Sequence, residues 1–95
     1  MKHIKLYNLT GSFAENKDIA QQVRKEQIIP SLEKGEKIIL DFENIDAATQ
    51  SFIHALISDL FRIFGDNVLD RVAFKNCSET VQKIIEIVSD YMQES

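Results

Sequence analysis

The stretch that most constrains the fold is KIILDF, Lys37 to Phe42, a nearly continuous apolar run between the stop signal Glu33-Lys34-Gly35-Glu36 and the connection Glu43 to Ala48. An apolar run without alternation is what a strand shows when helices cover both of its faces. It predicts the central strand of a sheet. Helix-period segments stand on either side of it. From about Asn16, Ile19, Ala20, Val23, Ile28 and Leu32 make an apolar stripe that Lys25-Glu26-Gln27 interrupts. Pro30, which has no amide donor, predicts a kink or restart, and Gly35 suits the left-handed position after a helix. From Gln50 to Gly65, the residues Phe52, Ile53, Leu56, Ile57, Leu60, Phe61 and Phe64 face inward, while Ser51, His54, Ser58 and Arg62 form a solvated polar stripe.

Two further strands are expected. Lys2 to Asn8 alternates Ile4 and Leu6 against Lys5 and Tyr7, and a turn follows at Thr10-Gly11-Ser12. Gly65-Asp66-Asn67 turns the chain into a strand from Leu69 to Lys75. Asn76 with Glu79 reads as a capping box, opening a helix that buries Val81, Ile84, Ile85, Val88 and Met92 before fraying at Gln93-Glu94-Ser95. The order β-α-β-α-β-α predicts an α/β fold, one small domain over residues 1–95, with a mostly parallel or mixed sheet and helices packed against it.

The net charge of -4 and the scattered Lys and Arg residues argue against a nucleic-acid partner, which needs a clustered basic face. Apolar runs of at most three residues predict no membrane span and no signal-peptide core, so a cytoplasmic location is expected. One cysteine, Cys77, fits a reducing compartment.

In open parallel sheets, ligands and partners meet the protein at the carboxyl ends of the strands. If the last two strands are parallel, one rim gathers Asn44, Asp46, Thr49, Gln50, Ser51, Lys75, Asn76 and Cys77, with His54 one turn into the helix. Asp41, Glu43 and Asp46 have the spacing of a carboxylate cluster, but no second His or Cys lies nearby to complete a metal set, and no metal or other cofactor is expected. Cys77 near a helix start could be a nucleophile, or an inert half-buried filler. His54 could serve Ser51 or Ser58 as a base, or lie in a solvated stripe, with no third group in view to complete a triad. Gly11, Gly35 and Gly65 never cluster into a phosphate-cradling loop. Thr49 and Ser51 are either helix caps or sites of phosphorylation, where a phosphate would add close to two negative charges beside a positive helix end.

The phrases GSFAENKDIAQQVR and EKGEKIILDFENIDAATQSFIHALISDLF carry a likeness beyond pattern. They resemble the STAS-like domain family of unknown function, whose members read as Gly, a short Ser-Arg-like stretch, an amphipathic helix, LDF, a Gly-Val-like loop, a Ser-rich segment and Phe. The resemblance spans roughly Gly11 to Val88, and its most specific piece is Leu40-Asp41-Phe42 with Phe52 ten residues on. That family is similar in turn to STAS domains, which include bacterial anti-sigma factor antagonists. Those bind an anti-sigma-type kinase of the histidine-kinase-like ATPase fold, and a serine at the start of the second helix is phosphorylated to break the complex.

The resemblance implies a non-enzymatic, regulatory protein-interaction module docking through Asn44, Asp46, Thr49, Gln50, Ser51 and His54. Aligning Leu40-Asp41-Phe42 with the antagonist strand puts Thr49 at the antagonists' Asp, Gln50 at their phosphorylated serine and Ser51 at the next serine. Gln50 carries no hydroxyl, so the switch has moved to Ser51 or Thr49, or is absent and binding is constitutive. Phe52-Ile53-His54 replaces the antagonists' Gly-rich helix start, and Lys17 matches a basic residue of the family only conservatively. A small enzyme using Cys77 or His54, and an oligomer-forming structural subunit, are the alternatives.

Overall fold

In the computed structural model, which describes residues 1–94 and the last of these by its backbone alone, three strands form one sheet. β1 (Lys2–Lys5), β3 (Ile38–Asp41) and β5 (Val72–Lys75) lie side by side in the order β1-β3-β5, all parallel. The apolar run is therefore the central strand, as expected. Register sets His3 beside Ile39 and Ala73, and Lys5 beside Asp41 and Lys75. Cross-strand neighbours share a face, so these six lie on one side, where His3, Lys5, Ala73 and Lys75 are exposed and Ile39 is half-buried. The other side holds Ile4, Ile38, Leu40 and Val72, all buried. Helices thus cover one face of the sheet rather than both, and the apolar run owes its continuity to Ile39, half-sheltered in a shallow hollow with Met1, Leu69 and Ala73.

A second, two-stranded parallel sheet pairs β2 (Phe13–Ala14) with β4 (Ala47–Ala48). Neither strand was expected. Two residues carry no period to read, and Ala47-Ala48 fell within the expected connection.

The first strand ends at Lys5, not Asn8, because Leu6 is buried and the chain then coils into the short helix α1 (Tyr7–Thr10). Likewise Leu69 to Arg71 are not strand. A 3-10 turn (Gly65–Asn67) runs into the one-turn helix α5 (Val68–Arg71), whose Val68 is buried, and the strand starts only at Val72.

The first long helical stretch comprises α2 (Lys17–Val23), a π turn (Arg24–Ile28) and α3 (Ile29–Glu33). Asn16 caps it, its side-chain oxygen accepting from the Asp18 amide at 2.9 Å. The break lies one turn before Pro30. A proline ring crowds the carbonyl four residues back, and the wider turn relieves this: the Ile29 amide reaches the Arg24 carbonyl, and the helix restarts with Pro30 in its first turn. The five-residue step from Val23 to Ile28, both buried, is the π spacing, and Lys25 and Glu26 stand exposed between them. Gly35 closes the segment at φ +84°, in the left-handed region.

α4 (Gln50–Phe64) is the core of the molecule: Phe52, Ile53, Leu56, Ile57 and Leu60 are fully buried. It packs between α2 on one side and α6 (Glu79–Glu94) on the other. On α6, Val81, Ile85 and Val88 are buried and Ile84 and Met92 half-buried, as the periodicity predicts. Gln93 and Glu94 are helical, while Ser95, the last residue expected to fray, lies outside the described residues. Among the described residues no helix is long and apolar enough to cross a membrane.

Candidate functional site

Because β3 and β5 are parallel, the segments that follow them meet at one end of the sheet, and Asp41 ties them together. Its carboxylate receives the Asn76 side-chain amide at 2.9 Å, the Glu43 backbone amide at 2.9 Å and His3 Nε2 at 2.9 Å. These three partners come from after β5, after β3 and from within β1, so one buried carboxylate at the end of β3 ties the segments that follow β3 and β5 to the first strand. The Asn76 and Glu43 hydrogen bonds, with the smaller contribution of His3, hold its pKa down to about 2 against the ordinary 3.8, although burial opposes this. The expectation placed no role on His3, because a residue near the chain start in an alternating strand gives no sign of a partner 38 positions away.

Asn76 is not a helix cap. It adopts φ +58° and turns the chain at the end of β5, as Asn44 does at φ +70° after β3. The cap of α6 is Ser78, whose hydroxyl oxygen accepts from the Val81 amide at 3.2 Å while donating to the Asp46 carbonyl at 2.9 Å. Asp46 is thus fixed from two sides, since its own amide reaches the Ser12 carbonyl at 2.8 Å.

Thr49 caps α4: its hydroxyl oxygen accepts from the Phe52 amide at 3.1 Å, a contact worth about 1 kcal/mol. Ser51 is exposed and its hydroxyl has no hydrogen-bond partner among the described residues, so of the two hydroxyls one is structural and one stands at the surface. Gln50 is exposed and His54 half-buried. These three line a groove of about 590 Å³ between α2 and α4, whose other walls include Lys17, Arg24, Asp59 and Arg62. The expected solvated stripe is therefore the floor and wall of this groove, and Ser58, expected outside, is buried because α2 packs over it.

The six expected docking residues divide accordingly. Asn44 lines a small hollow of about 120 Å³ with Lys5, Tyr7 and Asp41. Asp46 and Thr49 are held by the backbone contacts above. Gln50, Ser51 and His54 open toward α2. Two residues not singled out beforehand join them: Phe13, 48% exposed and paired with Ala47, and Tyr7, 42% exposed beside Asn44. No local signal in the sequence marks them, because the loop that they flank lies far along the chain.

Cys77 is half-buried, and its thiol makes a long contact, 3.9 Å, to the Lys75 carbonyl. Burial pushes its thiol upward, and the negative charge of Asp41 adds to this, which disfavours the thiolate a nucleophile needs. Among the described residues no side-chain hydrogen bond joins His54 to Ser51 or Ser58. Among the described residues no three His, Cys, Asp or Glu side chains are grouped to hold a metal ion.

A family model described as a STAS-like domain of unknown function (DUF4325) matches residues 20–82. The match runs from α2 into α6 and leaves out β1, α1 and β2, a narrower span than the Gly11 to Val88 likeness read from the sequence. No curated protein and no solved structure matches the chain. With two thirds of its length so matched, and with a parallel sheet and packed helices in the arrangement that likeness implies, the chain belongs to the STAS-like domain family of unknown function.

Proposed function

We propose that this protein is a regulatory binding module without catalytic chemistry of its own, docking onto a partner protein through the loop after β3 and the first turn of α4. The observation that carries this reading is the pair of exposed aromatics, Tyr7 and Phe13, standing beside Asn44, Asp46 and the α4 start. Rigid aromatic side chains in half-exposed positions are the residues that dominate protein interfaces. The backbones that carry them are held in place, Phe13 by its pairing with Ala47 and Tyr7 by the first turn of α1. The partner class, by likeness to the anti-sigma antagonists, is an ATPase of the histidine-kinase-like fold.

Ser51 is the better switch of the two hydroxyls. A phosphate on it would place charge in the docking surface and leave the Thr49 cap untouched, whereas a phosphate on Thr49 would be attached to the oxygen that receives the Phe52 amide and would change the cap itself. Self-association is the second reading, favoured by the open sheet face and by β1 and β5, both of which are sheet edges.

The test is affinity capture from the native host followed by binding measurement with the identified partner. Phe13→Ala is expected to weaken binding by about 30-fold or more, the effect of truncating an aromatic anchor, while changing stability by about 1 kcal/mol or less because the ring is half-exposed. A partner bound equally by Phe13→Ala contradicts the docking surface. Light scattering of the purified protein separates self-association from partner docking.

A further inference from the structure

We propose that the open face of the β1-β3-β5 sheet is a second docking surface, and that its occupant is an acidic amphipathic helix of a partner protein. Stable α/β domains close a sheet face with a packed layer, and here helices supply that layer on one side alone. The other side presents His3, Lys5, Ile39, Ala73 and Lys75.

The dimensions of this face suit one helix. Three strands of four residues each, spaced about 4.8 Å apart, make a strip about 10 Å wide and about 13 Å long. A helix with its side chains is about 10–12 Å across. The floor of the strip is low and apolar: Ile39 is half-buried, and Ala73 beside it projects a single methyl group. With Met1 and Leu69, which is 43% exposed, they line a hollow of about 210 Å³, where an apolar side chain of the helix would sit.

Charge selects the occupant. Lys37 and Lys75 line the same hollow, and Lys5 lies across β3 from Lys75 in register. Among the described residues no carboxylate forms an ion pair with any of the three. Asp70 stands at the rim of the hollow, while Asp41, between Lys5 and Lys75, is buried and already taken by His3, Glu43 and Asn76. In a chain whose net charge is -4, this face thus carries an excess of unpaired cations. Carboxylates flanking the apolar stripe of a helix complement it, whereas the identical face of a second copy would set lysine against lysine. None of the residues named on the face is a Phe, Tyr or Trp, on which a nucleic-acid base could stack.

The experiment places a photo-crosslinking residue at the exposed position of Ala73, in the full chain and in its native host, and sequences the crosslinked segment by mass spectrometry. The expected adduct is to a partner segment with apolar residues at helical spacing and Asp or Glu on either side of them. A synthetic peptide of that segment is expected to bind the purified protein about tenfold more weakly after Lys37→Glu with Lys75→Glu, and to keep its affinity after Lys37→Arg with Lys75→Arg. Thermal melts check that both variants fold. If the charge reversal unfolds the protein, Lys37→Gln with Lys75→Gln reads the same dependence as a loss of about threefold. A crosslinked segment that is basic or uncharged, an adduct to a second copy of this chain, the absence of any adduct, or peptide binding indifferent to these lysines overturns the proposal. So does sedimentation with phosphatidylserine vesicles that the charge reversal abolishes, which would assign the face to a lipid surface. Phe13→Ala is expected to leave the position 73 adduct in place, so failure of this face and failure of the surface beside Phe13 are read separately.

Discussion

Replacing Phe52 with alanine is expected to destabilise the protein by about 3–5 kcal/mol, the usual cost of emptying a fully buried aromatic site. Phe52 has no exposed surface, and its amide is the donor that the Thr49 cap receives. The side chain therefore holds the first turn of α4 onto the core while the backbone holds it to the loop. A domain of this size has a total stability of about 5–15 kcal/mol, so the variant is expected to unfold at much lower denaturant, with an unchanged dependence on denaturant concentration. Partner binding should fall with the folded fraction. A loss under about 1 kcal/mol would mean that the first turn is not anchored by this ring.

The second large effect is at Asp41. Asp41→Ala removes the acceptor shared by Asn76, Glu43 and His3, so that all three lose the contact that joins them, and is expected to cost about 2–3 kcal/mol at neutral pH. The pH dependence identifies the cause. The folded-state pKa of about 2 lies below the ordinary 3.8, so the folded protein holds on to the charged form. The stabilisation is fully present above pH 3.8 and is lost as the pH falls toward 2. Denaturant melts of the wild type and Asp41→Ala at pH 7 and at low pH are expected to differ widely in the first case and to converge in the second. A gap that stays constant with pH would assign the loss to packing alone.

Much of the frame was legible because it rests on long-period signals. The run from Lys37 to Phe42 gave the central strand, although its ends trim to Ile38–Asp41, and the seven apolar residues of α4 lie on one face as their spacing requires. What was missed has short or non-local causes. β2 and β4 are two residues each, below any period. The π turn was written in the five-residue step from Val23 to Ile28, but Lys25-Glu26-Gln27 was read as a break in the apolar stripe and the kink was placed at Pro30. Asn76 and Ser78 both fit the start of α6, and only the left-handed backbone of Asn76 and its bond to Asp41 decide for Ser78.

The site shows the same division. The parallel pairing of β3 and β5 was enough to bring Asn44, Asp46 and the α4 start to one region. The groove depended on which helix packs over Ser58, and the tie between His3 and Asp41 on strand order, neither of which is local in sequence. Tyr7 was assigned to a strand and Phe13 to no element, so the two aromatics that flank the loop came into view only with the fold.

The claim on which the account depends is that this loop and helix start, with their flanking aromatics, form the face that touches another macromolecule. A photo-crosslinking residue placed at Phe13, and in a separate sample at Tyr91 on the far end of α6, tests it in the native host. The account predicts a defined protein adduct from position 13 that disappears with Ser51→Glu, and none from position 91. Adducts from position 91 alone would contradict it.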